Sequence, residues 1–448
     1  PRTDSITVTM DTQKSVAARF LPGHEIRTLE ELQALTSAVP GEYYVLMTDI
    51  DASPTATWND AGTTTDTLEG FQPIGTFSYP DTTSFRGIFD GNGKKITGLT
   101  INRAGGSYIG LFGRVGKSGE VRNLTLEGGK IEGRSLVGAI AGLNTEGLLS
   151  NCSVSVPVTG FFNVGSVAGY NAGSITQCSA AGGWVYLRAT TETLASVPKG
   201  GGLVGQNAGT IIQCFSKADV VSDGASGEYS PCIGGLVGNN SKSVFDSFAT
   251  GAVNGQNCGG LIGFNSGSAV NCFAAGEVTG TSESVGGLIG SSTTTATVTA
   301  CYWDMETTSQ SASAGGGVGK TTAQMKQLIT FQPGGGTGAN DWNFSIIWGM
   351  NEGETYPFLR FAPPSCQLNV TVEGDGLVGL NPAGGVYAWG SQITLTARPG
   401  AGSRFARWTG DVPAGGAGQN PLKFTIRGDT SLKAEFEAGS HPAVWMVR

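Results

Sequence analysis

The chain has 448 residues, a formal net charge of −8 and 72 glycines, whereas an ordinary globular protein carries roughly 7% glycine. Glycine costs about 1 kcal/mol at each interior helix position, so this composition excludes a helix-rich fold. No apolar run approaches the ~20 residues that span a membrane, and no cluster of Lys or Arg marks a nucleic-acid site. The composition predicts a turn-rich, mostly β protein.

The chain begins with two strand-like runs in residues 5–20, SITVTMDTQKSVAARF, which align with PLKFTIRGDTSLKAEF at 421–436. Two strands alone are marginal in water. We therefore interpret residues 1–20 as the end of a small β module. Its remaining strands are expected upstream in a longer chain, with another subunit as the alternative source.

Residues 21–107 are predicted to form the first coils of the central fold described below. A capping-box pattern, Thr28 with Glu31, predicts a helix over 28–36. Asp49 and Asp51 alternate along a strand and therefore point the same way. Turn and strand-end chemistry is one interpretation of this pair, and a Ca²⁺ site is the other.

Residues 108–310 contain seven copies of a short repeat. A repeat of this length cannot bury its apolar face alone, so neighbouring copies must stack. The repeat predicts a right-handed parallel β-helix in which each copy forms one coil ~4.8 Å above the last. The copies end in glycines that lie 25 to 36 residues apart: Gly113, Gly142, Gly169, Gly205, Gly238, Gly263 and Gly290.

An asparagine follows five of these glycines at a constant distance of two residues. In stacked coils such residues lie above one another, and their amides can bond each other and the turn backbone. The last copy has Ser292 instead. We predict an internal structural ladder made of Asn144, Asn171, Asn207, Asn240 and Asn265.

The cysteines form a second column. Disulfides, a metal ladder and buried thiols are all conceivable, but the parallel Cβ vectors of stacked coils suit a disulfide dihedral poorly. We therefore expect small buried side chains. Cys232 and Cys258 lie outside the column, one residue out of register, and are the best disulfide candidates. The column consists of Cys152, Cys178, Cys214, Ser247, Cys272 and Cys301.

Four aromatic residues lie in or beside the longer repeats, where insertions map to loops on one face. Sugar rings stack on exposed aromatic rings, so a ligand-binding strip is predicted at Trp184, Tyr186, Tyr229 and Trp303. The tryptophans in apolar surroundings are predicted to be core: Trp342, Trp348, Trp389 and Trp408.

The end of the chain changes character. Residues 311–362 are predicted to form a C-terminal cap, with a helix over 321–329 that begins with the capping box Thr321 and Gln324. AGGGVGKT at 314–321 matches a relaxed phosphate-binding loop, but it lacks the preceding apolar strand that such a loop needs. Alternating strand patterns predict a small β module at 363–438, and residues 439–448 a linker or tail.

Two resemblances follow from these motifs. The GGLVG and GGLIG repeats resemble the GLUG motif of large bacterial surface and secreted proteins, with similar flanking stretches at 43–103 and 319–361. FARWTGD at 405–411 and KAEF at 433–436 resemble the divergent internalin-type B repeat. The resemblances imply a β-helix with short capping helices, followed by a B-repeat-like module, in an extracellular or cell-surface protein of a bacterium or archaeon.

The expected function is non-enzymatic: a rigid stalk, an adhesive segment or a part of an extracellular assembly. Expected partners are cell-surface glycans or other copies of the chain, with no nucleic acid and no cofactor apart from possible calcium. A carbohydrate-binding module is the first alternative. A polysaccharide-degrading β-helix enzyme is the second, although the acidic residues do not recur at one repeat position.

Overall fold

A computed structural model describes residues 23–58, 68–78, 81–188, 197–223, 231–336 and 338–439. The β-module strands predicted within 1–20, the aromatic residue Tyr229 and most of the predicted tail lie outside the described residues. The chain divides into two compact units. The first comprises Pro1–Val298 and Thr308–Gly317, and the second comprises Thr299–Thr307 and Val318–Arg448.

The first unit is a solenoid of parallel β-strands. In each full coil the chain passes through four sheets in turn, and each strand pairs in parallel with its equivalent in the next coil. The first sheet contains Gly23–Ile26, Tyr43–Leu46, Ile88–Asp90, Glu120–Arg122, Leu148–Ser150, Ser174–Thr176, Thr210–Ile212, Ser243–Phe245, Ser268–Val270 and Thr297–Thr299. The second contains Ile50–Asp51, Lys95–Thr97, Thr125–Glu127, Ser153–Ser155, Ser179–Gly182, Phe215–Ser216, Phe248–Ala249 and Phe273–Ala274.

The third sheet begins with two long strands, Thr100–Ile109 and Lys130–Val137, and then continues as two parallel strips. One strip contains Val158–Gly160, Trp184–Leu187, Asp219–Ser222, Val253–Gly255 and Val278–Gly280, and the other contains Phe162–Gly165, Lys199–Gly201, Cys232–Gly234, Asn257–Gly259 and Val285–Gly286. The fourth sheet contains Phe112–Val115, Ala141–Asn144, Ala168–Asn171, Val204–Asn207, Val237–Asn240, Ile262–Asn265 and Ile289–Ser292.

Apolar side chains from all four sheets fill the solenoid. The repeat segment GGLVG supplies Leu203 and Val204, both with no exposed surface, and the equivalent residues of the other coils are buried likewise. On the second sheet, Phe215, Phe248 and Phe273 stack face to face, with ring centroids 5.1 and 4.9 Å apart. Burial of each such side chain contributes about 1.5–3 kcal/mol to folding. The predicted parallel β-solenoid is confirmed.

The turn between the first and second sheets requires a left-handed backbone. Seven residues that directly follow a strand of the first sheet take φ between 45° and 55°, although none is a glycine. Amide side chains tolerate this conformation better than most, and they also pair across coils. Asn151 Nδ2 donates to Asn123 Oδ1 at 2.8 Å. The seven residues are Asn123, Asn151, Gln177, Gln213, Asp246, Asn271 and Ala300.

The short helices match the predicted capping signals. Leu29–Ala34 begins after Thr28, whose capping box with Glu31 is complete. The single helix predicted over 321–329 is two helices, Thr322–Met325 and Leu328–Phe331, and the first has the predicted Thr321–Gln324 capping box. The described residues also include a 3₁₀ helix, Ser53–Thr57, and a short α-helix, Met305–Thr308.

The second unit contains the small β module at its C-terminal end. Two sheets enclose a core that includes Leu395, Trp408 and Ala434. The predicted core tryptophans Trp342, Trp348 and Trp408 are buried, whereas Trp389 is partly buried. The four-stranded sheet has the order Val386–Ala388, Ser365–Glu373, Thr430–Ala438 and Ser403–Gly410, and the three-stranded sheet has Gly376–Asn381, Gln392–Pro399 and Leu422–Thr425. Trp348–Gly349 pairs with Phe358–Leu359, and Tyr302–Asp304 pairs with Val318–Lys320.

The glycine that closes each repeat faces backbone of the neighbouring coil. A Cβ atom added to Gly205 would lie 2.5 Å from Val164 N and 2.6 Å from Asn163 C. Backbone atoms cannot rotate away as a flexible side chain can, so the coils themselves would have to separate. The repeated glycine is therefore a requirement of coil spacing.

We predict that Gly205→Ala lowers the free energy of unfolding by about 3 kcal/mol, because the added methyl group overpacks the backbone contact. Denaturant unfolding followed by circular dichroism measures the change. Gly105→Ala is the matched control, since a Cβ atom there meets no atom within 4 Å. Equal stability of the two variants would contradict the backbone contact.

Candidate functional site

The inside of the solenoid contains a continuous row of asparagine amides. Its members have no exposed surface. Each Nδ2 donates to the Oδ1 of the asparagine one coil further on, at 2.8 to 2.9 Å. These are the residues of the predicted ladder, in the order Asn144, Asn171, Asn207, Asn240 and Asn265.

Each amide also bonds the turn that follows it. Asn207 Nδ2 lies 3.1 Å from Gly209 O, and its Oδ1 accepts a hydrogen bond from Gly209 N at 3.2 Å. One side chain thus bonds both polar backbone groups of Gly209. At the two ends of the row, Asn144 Oδ1 and Asn265 Nδ2 have no hydrogen-bond partner among the described residues.

We predict that Asn207→Leu lowers the melting temperature by several degrees. The substitution removes the bonds that Asn207 makes with Asn171 Nδ2, Asn240 Oδ1 and the Gly209 backbone, and a buried polar group that loses its partner costs about 1–3 kcal/mol. Differential scanning calorimetry measures the shift. Gln206→Leu is the control, because Gln206 lies next in the same strand and is only partly buried. An unchanged melting temperature for Asn207→Leu would contradict a stabilising role for the row.

A buried carboxylate in the first coils, Asp90, is a hub that the repeat pattern did not reveal. It is 8% exposed and accepts hydrogen bonds from Tyr43 OH at 2.9 Å, Asn92 N at 2.8 Å, and Arg122 Nε and Asn123 Nδ2 at 3.0 Å. Burial alone would raise the pKa of Asp90. The hydrogen bonds outweigh burial and lower this pKa below its ordinary value of 3.8.

The lowered pKa predicts a pH-dependent contribution of Asp90 to stability. The folded state favours the ionised carboxylate, so this stabilisation is present above about pH 4 and is lost as the pH falls through the folded pKa. The difference in unfolding free energy between the wild type and Asp90→Asn should shrink as the solution is acidified. Urea unfolding at a series of pH values measures it. Glu283→Gln, at an exposed position, is the control, and a difference for Asp90→Asn that stays constant into acid would contradict the assignment.

The second unit has a comparable hub at Asp304, which has no exposed surface. It accepts hydrogen bonds from Tyr356 OH at 2.6 Å, Thr322 Oγ1 at 2.7 Å and Glu306 N at 2.9 Å. Burial, followed by the bond to Asp304, raises the pKa of Tyr356 to about 12. With the carboxylate enclosed, Asp304 holds the segment together and does not face a substrate.

The two carboxylates of the predicted calcium pair each accept a hydrogen bond from a different part of the backbone. Asp49 Oδ1 accepts a hydrogen bond from Lys95 N at 3.0 Å, and Asp51 Oδ1 accepts one from Ser53 N at 2.9 Å. The bond from Ser53 lowers the pKa of Asp51. Each carboxylate thus caps a separate piece of backbone. Among the described residues, no group of three or more His, Cys, Asp and Glu side chains is placed to hold a metal ion.

The predicted disulfide between Cys232 and Cys258 is wrong, because both are free thiols. Cys232 pairs with Asn257, and Cys258 pairs with Ile233. Successive side chains of a strand point to opposite faces, so Cys258 is buried while Cys232 is half-buried. Burial raises the pKa of the Cys258 thiol to about 12.

The cysteine column consists of buried free thiols, as predicted. Each thiol donates to the carbonyl oxygen two residues before it, as Cys214 Sγ does to Ile212 O at 3.2 Å. Ser247 Oγ makes the same bond to Phe245 O at 2.7 Å. A serine therefore replaces a cysteine there without leaving a buried hydroxyl unpaired.

The predicted aromatic strip is only partly assembled. Trp184 is 44% exposed, but its ring meets Tyr186 edge to face, at 88° and 6.2 Å between centroids. Tyr186 OH donates to Asp223 Oδ1. The expected exposure of Trp303 is wrong, since only 6% of it is accessible. It pairs with Gly319, whose missing side chain leaves room for the indole.

A concave site in the first coils escaped the sequence analysis. It is a cleft of about 710 Å³ beside the long strand Thr100–Ile109. The opposite wall is pinned to this strand, because Asn102 N donates to Glu69 O at 2.8 Å and Phe71 N donates to Thr100 O at 2.9 Å. Six of the lining residues carry its chemistry: Glu69, Gln72, Phe77, Asn102, Arg103 and Tyr108.

No helix in the described ranges is both long enough and apolar enough to cross a membrane.

Comparison with known proteins finds similarity over parts of the chain. A family model of the divergent InlB B-repeat domain matches residues 366–440. The chain is also 37% identical over 150 residues to halomucin of Haloquadratum walsbyi, and 43% identical over 119 residues to a putative Gly-rich membrane protein of Evansella cellulosilytica. These alignments cover 33% and 26% of the chain, but only 2% and 12% of the relatives.

Proposed function

We propose that the chain is a rigid structural segment of a modular cell-surface protein. The observation that carries this proposal is the asparagine row, in which four hydrogen bonds join five successive coils inside the solenoid. A row of this kind links each coil to the next through side chains as well as backbone. Such a stack suits a spacer that holds other parts of a protein at a distance.

The hydrogen bonds of the acidic side chains favour a structural role over catalysis. The two most enclosed carboxylates, Asp90 and Asp304, are each committed to several protein hydrogen bonds. Asp49 and Asp51 are likewise committed to backbone groups. A general acid or base must reach a substrate proton in the site, and these carboxylates face protein donors instead.

The comparisons support the surface location. The C-terminal module matches the divergent InlB B-repeat domain, and one relative is named a membrane protein. Both relatives are far longer than this chain, in agreement with a segment of a large modular protein. The repeats also keep their resemblance to the GLUG motif, and we propose adhesion or extracellular assembly as the role of the parent protein.

Antibodies raised against the full chain should label intact cells of the source organism at their outer face in immunogold electron microscopy. Projections from the surface would indicate a stalk, and continuous fibres an assembly. An antibody against a cytoplasmic protein is the control for intact envelopes. Labelling that appears only after permeabilisation would contradict the proposed location.

A further inference from the structure

The cleft in the first coils has an aromatic wall. The rings of Phe77 and Tyr108 are nearly parallel, at 5°, with centroids 5.3 Å apart. Phe77 stays 50% exposed although Tyr108 stacks on it and the Arg114 guanidinium lies 5.1 Å from its ring centre. The exposed half of Phe77, beside the partly buried Tyr108, offers apolar surface at a concave site that the protein itself does not cover.

The position of Tyr108 is set by the coil. Its φ is +63°, an unusual value for a bulky residue. The equivalent residues of the next two coils, Leu136 and Asn163, have φ of 53° and 50°. The backbone bend therefore belongs to the solenoid, and only the first of these coils uses it to bring an aromatic ring into a cleft.

The charged groups at the cleft are paired within the protein. Arg103 Nη1 lies 2.9 Å from Glu69 Oε2, and both side chains are 16% exposed. Next to the aromatic wall, Arg114 Nη2 lies 3.3 Å from Asp81 Oδ2. Two cations and two anions cancel, so this site has no net charge with which to attract an ionic ligand.

We propose that this cleft binds a neutral sugar of an oligosaccharide or polysaccharide. The C–H face of a sugar ring packs on an aromatic surface, and its hydroxyl groups exchange hydrogen bonds with polar side chains. Glu69 and Arg103 supply an acceptor and donors side by side, and Gln72 and Asn102 line the same cleft. The volume of about 710 Å³ accommodates a small ligand.

The cleft is better built for this purpose than the strip at Trp184. There, Trp184 and Tyr186 meet edge to face at 88°, whereas the stacked rings of Phe77 and Tyr108 line a cleft together with polar side chains. The proposal does not depend on the structural role proposed above, because a spacer can be built with or without a sugar site.

Isothermal titration calorimetry of the full chain tests the site with cellohexaose, laminarihexaose, mannohexaose and chitohexaose, and with trigalacturonate as an acidic comparison. At least one neutral sugar should bind, and trigalacturonate should bind at least 10-fold more weakly. Phe77→Ala and Tyr108→Asn should each weaken the binding at least 10-fold. Asparagine suits position 108 because Asn163 has the same backbone conformation two coils further on.

Two further variants separate loss of the site from loss of the fold. Gly105→Leu should block binding without strain, because Gly105 lines the cleft and an added Cβ there meets open space. Trp184→Ala should leave the affinity unchanged, and all variants should keep the wild-type melting temperature within a few degrees. The proposal is overturned if no neutral sugar binds, if trigalacturonate binds best, or if Trp184→Ala abolishes binding while Phe77→Ala retains it.

Discussion

Parallel stacking in register places each residue of a coil beside its own copy in the next, and this governs what the solenoid can contain. A buried polar side chain must then find its partner in an identical group. The asparagine amide meets this demand, because it carries a donor and an acceptor at once and can repeat without limit. The row from Asn144 to Asn265 is the result. The cysteine column is different, since each thiol donates to a backbone carbonyl of its own coil and does not need an identical side chain as its partner.

The regular coils and the irregular first coils differ in how far their residues are constrained. In the repeats, the close backbone contacts of the closing glycines and the burial of the amides allow few substitutions at these positions. Asp90 and the cleft lie before the first full repeat, where the chain makes non-repeating connections. Binding sites are commonly found on such segments, held in place by a regular scaffold. The asparagine row thus links successive coils, and the first coils provide a shaped surface.

The sequence predicted what repetition makes visible. The columns of glycine, asparagine and cysteine revealed the coil, its register and the side chains that point inward. Capping boxes at Thr28 and Thr321 located helix starts. The positions of residues that do not recur from coil to coil were harder to predict. Trp303 is buried because Gly319 makes room for it, and the two lie far apart in the sequence. The side chains of Cys232 and Cys258 point to opposite faces of their sheet, which only the exact strand pairing reveals.

The cleft could not be predicted from the sequence, for a related reason. Glu69, Phe77 and Tyr108 belong to separate segments, and no periodic pattern links them. Asp90 and Asp304 likewise bind donors from distant segments of the chain. Alternation and periodicity report on which face a residue occupies. They carry no information on which non-repeating segments meet across that face.

The two strips of the third sheet have an evolutionary consequence. The two longest coils, of 36 and 33 residues, carry their additional residues between one strip and the other, after Trp184–Leu187 and after Asp219–Ser222. The strands on either side of these additional residues stay in register with the equivalent strands of the neighbouring coils, including shorter ones. Insertions at this corner can therefore diversify independently of the rest of the coil. Since every coil presents the same pairing pattern above and below, unequal recombination can also add or delete a whole coil and still leave a continuous interior.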